Sequence, residues 1–181
     1  MVGVAGLRQN EDSIHPGMDA RLQWLYSPPM LQRIHSGGQT GADIAALEIA
    51  LEKGFPHGGW CPKGRRSLAG PIPNCYALHE TPSEDYLQRT EWNARDSDGT
   101  VVFTIAAKAS GGSLRTIDYA RKHRKPWLHL SRENPGHKGF SCRLVHFIEE
   151  HGIKTLNIAG SRESKEPGIH HWVREVLGQV I

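Results

Sequence analysis

The chain predicts an α/β protein: a three-layer Rossmann-like sandwich around a mostly parallel sheet of about five strands. Two observations carry this reading. Short apolar runs rich in β-branched residues alternate five times with amphipathic helical stretches, a pattern that calls for parallel strands with helices on both faces. Three of the strand-to-helix loops are built from Gly and Ser, as expected where a strand turns sharply into a helix.

Residues 1–30 show no clear period and contain Pro16, Pro28 and Pro29. They read as an N-terminal extension with one short helix near "MDARLQWLY". Residues 31–181 read as a single ligand-binding domain. Its first strand is "LQRIHS". "ADIAALEIALEKG" is a helix with Ile44, Leu47 and Leu51 on one face and Gly54 as its stop. "GFPHGGWCPKG" is an irregular short strand leading into a basic loop. "TPSEDYLQRTEWNARDS" predicts a helix with Thr81 as N-cap, Pro82 at its first position and Glu84 completing a capping box. "GTVVFTI" is a buried strand, "SGGSLRTIDYARKHRK" a loop and helix, and "PWLHL" the next strand. "FSCRLVHFIEEHG" is an amphipathic helix on Leu144, Phe147 and Ile148, "IKTLNIAG" a strand, and "EPGIHHWVREVLGQVI" the terminal helix. The commonest five-stranded arrangement suggests the order 2-1-3-4-5.

Composition narrows the function. The 181 residues carry a net charge of +3, with 38% hydrophobic and 23% charged residues. That balance suits a globular protein with a small anionic partner, and no run of five Lys and Arg points to nucleic acid. No apolar stretch approaches the ~18 residues of a membrane span. The N-terminus, with Glu11, Asp12 and Asp19, resembles neither a signal nor a transit peptide. Cys61, Cys75 and Cys142 form no CxxC pair, which argues against a disulfide framework or a structural zinc site and for a reducing cytoplasm.

In a parallel sheet, ligands bind beyond the carboxyl ends of the strands. The loops there are Ser36, Gly37, Gly38, Gln39, Thr40 and Gly41 after the first strand, and Ser110, Gly111, Gly112 and Ser113 after the third. Gly160, Ser161 and Arg162 follow the fifth. Each opens a helix, so free N–H groups and the positive dipole end would hold an anion, with glycines clearing the way for a phosphate. Lys63, Arg65 and Arg66 follow the second strand and add guanidinium forks suited to phosphate. Arg89 and Asn93 share a helix face. Asp43 reads as a helix-dipole residue with a ligand contact as the alternative, and Asp96 and Asp98 as turn residues. The chain has no Walker A, GxGxxG, HExxH or GxSxG motif. No metal site is read.

"HSGGQTGADIAALEIALEKG", "GGWCPKGRRSLAGPIP", "YLQRTEWNARDSDGTVVF", "SGGSLRT" and "LNIAGSRESKEPGI" closely resemble the putative molybdenum carrier family, in order from about residue 33 to the C-terminus. That family falls within a Rossmann-like group with the lysine-decarboxylase-like proteins and the cytokinin-activating phosphoribohydrolases. The resemblance implies binding or carriage of molybdenum cofactor, a phosphorylated pterin, at the Ser-Gly-Gly loops and residues 63–66. Relatives of this architecture dimerise, so it also implies a homo-oligomer. The phosphoribohydrolase signature PGGxGTxxE keeps only Gly111 and Gly112 here: Ser110, Leu114, Arg115 and Asp118 replace the proline, third glycine, threonine and glutamate. A non-catalytic carrier is therefore the leading expectation. The alternative is a nucleotide-processing enzyme using Glu91 or Asp118.

Overall fold

A computed structural model describes residues 31–137 and 139–181. The N-terminal extension, with the helix expected near residue 20, lies outside the described residues.

The main sheet contains β1 (Arg33–His35), β2 (His57–Gly58), β7 (Gly99–Thr104), β8 (Trp127–Ser131) and β9 (Thr155–Gly160). Two small two-stranded units complete the strands: β3 (Trp60–Cys61) with β6 (His79–Glu80), and β4 (Arg66–Ser67) with β5 (Gly70–Pro71). The helices are α1 (Ala42–Glu52), α2 (Tyr86–Arg95), α3 (Gly112–Lys122), α4 (Phe140–Glu150) and α5 (Ile169–Gly178).

All pairings in the main sheet are parallel, as expected. The order is not the expected one. It runs β2-β1-β9-β7-β8, so the last strand enters between the first and the third. A fully buried apolar run reads the same in sequence at an edge as at the centre, and Leu156 to Ala159 are all buried. Counting strands from β9 turns the observed order into 3-2-1-4-5, the usual doubly wound arrangement. The sheet is thus an ordinary Rossmann sheet whose opening strand and helix stand at the end of the chain.

Side chains alternate across the sheet. Ile34, Val101, Phe103, Leu156 and Ile158 enter one core with residues of α1, α4 and α5. Thr100, Thr104 and Asn157 are also buried, and Asn157 Nδ2 donates to Thr100 Oγ1 at 3.2 Å. α2 and α3 pack on each other, and α3 lies on β7 and β9. Leu144, Phe147 and Ile148 are buried as predicted. Of the predicted face of α1, Leu47 is buried and Ile44 packs beside it against Ile72, Tyr76 and Leu78, while Leu51 is exposed. The helix also buries a second face of small residues, Ala42, Ala45, Ala46 and Ala50. Small side chains let α1 lie close to β9 and α5, where it packs.

The start of α2 is a second correction. Thr81 is buried and extended, its N–H donating to Cys61 O at 2.8 Å beside β3. The helix begins later, with Asp85 as N-cap accepting from Leu87 N at 2.9 Å. Pairing with β3 outweighs the local capping signal at 81–84. Asp96 and Asp98 do serve turns: Asp98 Oδ2 accepts from Lys154 N and Thr155 N at 3.1 and 2.8 Å, tying β7 to β9.

Glu163, on the loop after β9, caps the start of α5. Its carboxylate accepts from Gly168 N at 2.7 Å and His170 N at 3.0 Å, and these donors hold it below the usual carboxylate range. A depressed value means stabilisation present at neutral pH and lost as pH falls through the carboxylate range. Glu163→Gln should therefore cost about 1 kcal/mol at pH 7, and the difference in Tm from wild type should shrink on acidification.

Candidate functional site

The carboxyl ends of β1, β9 and β7 stand side by side, and their loops bound two adjoining cavities. One, about 330 Å³, is lined by residues 110–113 and 160–162 with Ser164 and Lys165. The other, about 220 Å³, lies towards α2 and is lined by Gln39, Asp43, Tyr86, Leu87, Arg89, Thr90, Arg115 and Thr116. Gly112, Gly160 and Arg162 line both. Loops 36–41 and 110–113 thus flank loop 160–164, because β9 separates their strands, instead of facing each other directly.

The first cavity is suited to an anion. α3 starts at Gly112 after Gly111, with no side-chain cap on its first N–H groups. Gly111 takes φ +56, and a Cβ at Gly112 would meet nothing within 4 Å. The helix end is therefore open, where partial positive charge accumulates. Lys165 Nζ donates to Ser110 Oγ at 2.7 Å, which places an ammonium at the rim. Arg162 is exposed beside it. Ser113 Oγ and Ser161 Oγ are 3.4 Å apart across the floor.

The second cavity is anchored by a buried ion pair. Arg89 Nη1 lies 2.7 Å from Asp43 Oδ2, with the two side chains 12% and 6% exposed. Burial pushes the Asp43 carboxyl up, and Arg89 pulls it back down. Gln39 and Arg89 each carry a buried nitrogen, Nε2 and Nε, with no partner among the described residues.

Half of the expected site residues line these cavities: Gln39, Arg89, Ser110, Gly111, Gly112, Ser113, Gly160, Ser161 and Arg162. The others do not. Ser36 is buried with its Oγ 2.9 Å from Ile158 O and 3.1 Å from Asp43 O. A Cβ at Gly37 would overlap the Arg89 guanidinium, and one at Gly38 would press on Ile72. A Cβ at Gly41, which has φ +88, would overlap the backbone of residues 161–163. The space these three glycines leave is filled by the protein itself. Thr40 lines a separate cavity beside Ile44 and Tyr76.

The basic segment also lies elsewhere. Arg65 donates to the carbonyls of Ile72, Pro73, Tyr76 and Leu78 and so folds the loop around itself. Arg66 pairs with Glu84, and Lys63 lines neither cavity. The chain after β2 leaves the main sheet to form the β3–β6 unit, which carries residues 63–66 away. Asn93 bonds both backbone groups of Trp60 at 2.8 Å, acting as a strand partner. Both acid candidates are off the site: Glu91 binds Lys122 and His123 between α2 and α3, and Asp118 sits 3.8 Å from Arg121 on the surface of α3.

Sequence reasoning missed Arg115, Lys165, Tyr86 and Thr90. Arg115 was visible as a first-turn residue of the helix after Ser-Gly-Gly. Lys165 became a candidate only once the β9 loop was known to lie beside Ser110. Among the described residues, no cluster of three His, Cys, Asp or Glu side chains is placed to hold a metal ion, and no helix is long and apolar enough to cross a membrane.

Comparison with known proteins agrees with the topology. No curated protein sequence matches the chain. A crystal structure described as a putative molybdenum carrier protein from Syntrophus aciditrophicus shares 38% identity and a TM-score of 0.82, covering 87% of this chain and 99% of the other. The family model for the circularly permutated YpsA SLOG family matches residues 34–181, and the displaced position of β9 is what a permuted sheet of this kind requires. The chain belongs to the circularly permutated YpsA SLOG family.

Proposed function

We propose that this protein is a binding and carrier protein for a phosphorylated small molecule, with molybdenum cofactor as the ligand suggested by the putative molybdenum carrier protein it resembles. The observation that carries the reading is the uncapped start of α3, opening on a cavity edged by Arg162 and Lys165. Backbone N–H groups, a dipole end and two cations form a set suited to a phosphate. The donor set fits the phosphate of such a cofactor. The described residues offer no cluster of metal ligands, so the metal would be held by the cofactor and not by the chain.

The distribution of acids favours carriage over turnover. Asp43 is the acid lining either cavity, and it is tied to Arg89. The free thiols of Cys61, Cys75 and Cys142 fit work in a reducing compartment such as the cytoplasm.

Mass spectrometry of the small molecule that copurifies, with metal analysis of the same sample, tests the ligand. A phosphorylated pterin with molybdenum supports the carrier; a nucleotide released as free base on incubation would replace it with an enzyme. The site itself is tested by Gly112→Asp. The side chain has room and an acid in the first turn favours the helix, so Tm should hold or rise. Affinity for inorganic phosphate or a phosphorylated ligand should fall about tenfold or more, through repulsion at the same position.

A further inference from the structure

The excursion between β3 and β6 folds against α1 and leaves a third cavity, of about 350 Å³. It shares no lining residue with the two cavities that Gly112 and Arg162 line. Ile44 and Glu48 stand one turn apart on α1, so they face it together. Ile72 and Pro73 add apolar wall, and Arg65 holds that wall in place by donating to the carbonyls of Ile72, Pro73 and Tyr76. Three side-chain oxygens line the cavity without a partner among the described residues. Glu48 spends Oε2 on His170 Nε2 at 2.7 Å and Arg174 Nη1 at 3.2 Å, which leaves its Oε1. Arg174 also donates to Glu52 Oε2 at 2.6 Å, so one guanidinium serves two carboxylates. Tyr76 is 8% exposed, with its ring packed against Leu47 and Leu78. Its hydroxyl keeps accessible surface and is not sealed in the core. Burial and the nearby Glu48 carboxylate push this phenol up, so it stays neutral with lone pairs to give. The Thr40 hydroxyl is the third oxygen. No Lys, Arg or His lines the cavity.

We propose that this cavity is a second binding site, separate from the phosphate site, for a small molecule that carries a primary ammonium on a short apolar body. An ammonium has three N–H donors and no acceptor, and the cavity offers acceptor oxygens with no competing cation on its wall. Glu48 Oε1 takes the charge-assisted bond, the strongest of the set. The hydroxyl oxygens of Tyr76 and Thr40 take the remaining hydrogens. Ile44, Ile72 and Pro73 remove the apolar body from water. The Tyr76 hydroxyl cannot turn away to find a partner elsewhere, because its ring is held in the core. An alcohol of the same shape fits the walls and forgoes the charge. A carboxylate of that shape sets its charge against Glu48.

Calorimetric titration of the full chain at neutral pH with hexylamine, hexanol and hexanoate tests this, since the three share an apolar tail and differ in the head group. Hexylamine should bind at least about tenfold more tightly than hexanol, and hexanoate more weakly than either. Glu48→Gln keeps the shape of the side chain and removes its charge, and it should bring hexylamine down to the affinity of hexanol. Tyr76→Phe keeps the buried ring and removes the hydroxyl, and it should weaken hexylamine by about fivefold. Affinity for inorganic phosphate should be the same in both variants as in the wild type, because neither residue lines the other two cavities. Equal binding of hexylamine and hexanol by the wild-type protein overturns the inference; so does a failure of hexylamine to bind, or a preference for it that survives Glu48→Gln. The wild-type order of the three ligands decides the matter even if neither variant folds.

Discussion

Arg89→Met is expected to lose about 3–5 kcal/mol of folding stability, the range seen when one partner of a buried ion pair is removed. Asp43 stays where it is, 6% exposed at the start of α1, with its main counter-charge gone. Burial already pushes this carboxyl up, and Arg89 is the chief influence holding it down. In the variant its folded pKa rises further. A carboxyl whose folded value lies above its unfolded value costs stability above the unfolded range, and that cost fades as pH falls through it. The deficit of Arg89→Met should therefore be greatest near neutral pH and shrink towards about pH 4. Denaturant unfolding of both proteins at the two pH values reads this directly. Adding Asp43→Asn should recover part of the loss at neutral pH, because the uncompensated charge is then absent. A double variant no more stable than Arg89→Met alone would show that packing of the guanidinium, and not its charge, is what the position contributes.

The same pair explains why the first glycine-rich loop misled. In sequence, three glycines among residues 37–41 look like a cradle for something from outside, since glycine permits close approach and positive φ. The close approach is real, but the visitors at Gly37 and Gly41 are Arg89 and the backbone of residues 161–163. Both come from segments far away in sequence, which no local pattern could announce. At Gly112 the local reading met no such visitor, and the space stays open. The alternation of strands and helices was legible because hydrophobic period and strand length are local properties. The place of β9 was not, because its neighbours in the sheet are chosen by long-range pairing. Arg65 shows the same limit. Its charge suggested an anion, while four carbonyls of the 72–78 loop claim it.

Gly41→Ala should be comparably damaging, and through the geometry that brings the site's loops together. Gly41 sits at φ +88 and ψ −126 as the N-cap of α1, a conformation that side chains strongly disfavour. A Cβ there would also overlap Ser161 O and stand 2.6 Å from Glu163 N. Neither obstacle is a flexible side-chain tip; both are backbone, held by Ala42 N donating to Ser161 O at 3.1 Å and Ser161 N donating to Phe103 O at 3.0 Å. Backbone strain and overpacking together should cost roughly 3–5 kcal/mol. The loop after β9 can accommodate the methyl only by moving off α1, and Gly160, Ser161 and Arg162, which line the cavities, move with it. Loss of affinity for a phosphorylated ligand should then exceed that of Gly54→Ala, a positive-φ glycine whose Cβ would meet nothing within 4 Å. Gly54→Ala also places a side chain at positive φ, but without an overlap and away from the lining of the cavities, so it is the comparison for the contact between the β1 and β9 loops. Equal stability and equal affinity in the two would mean that this contact does not assemble the site.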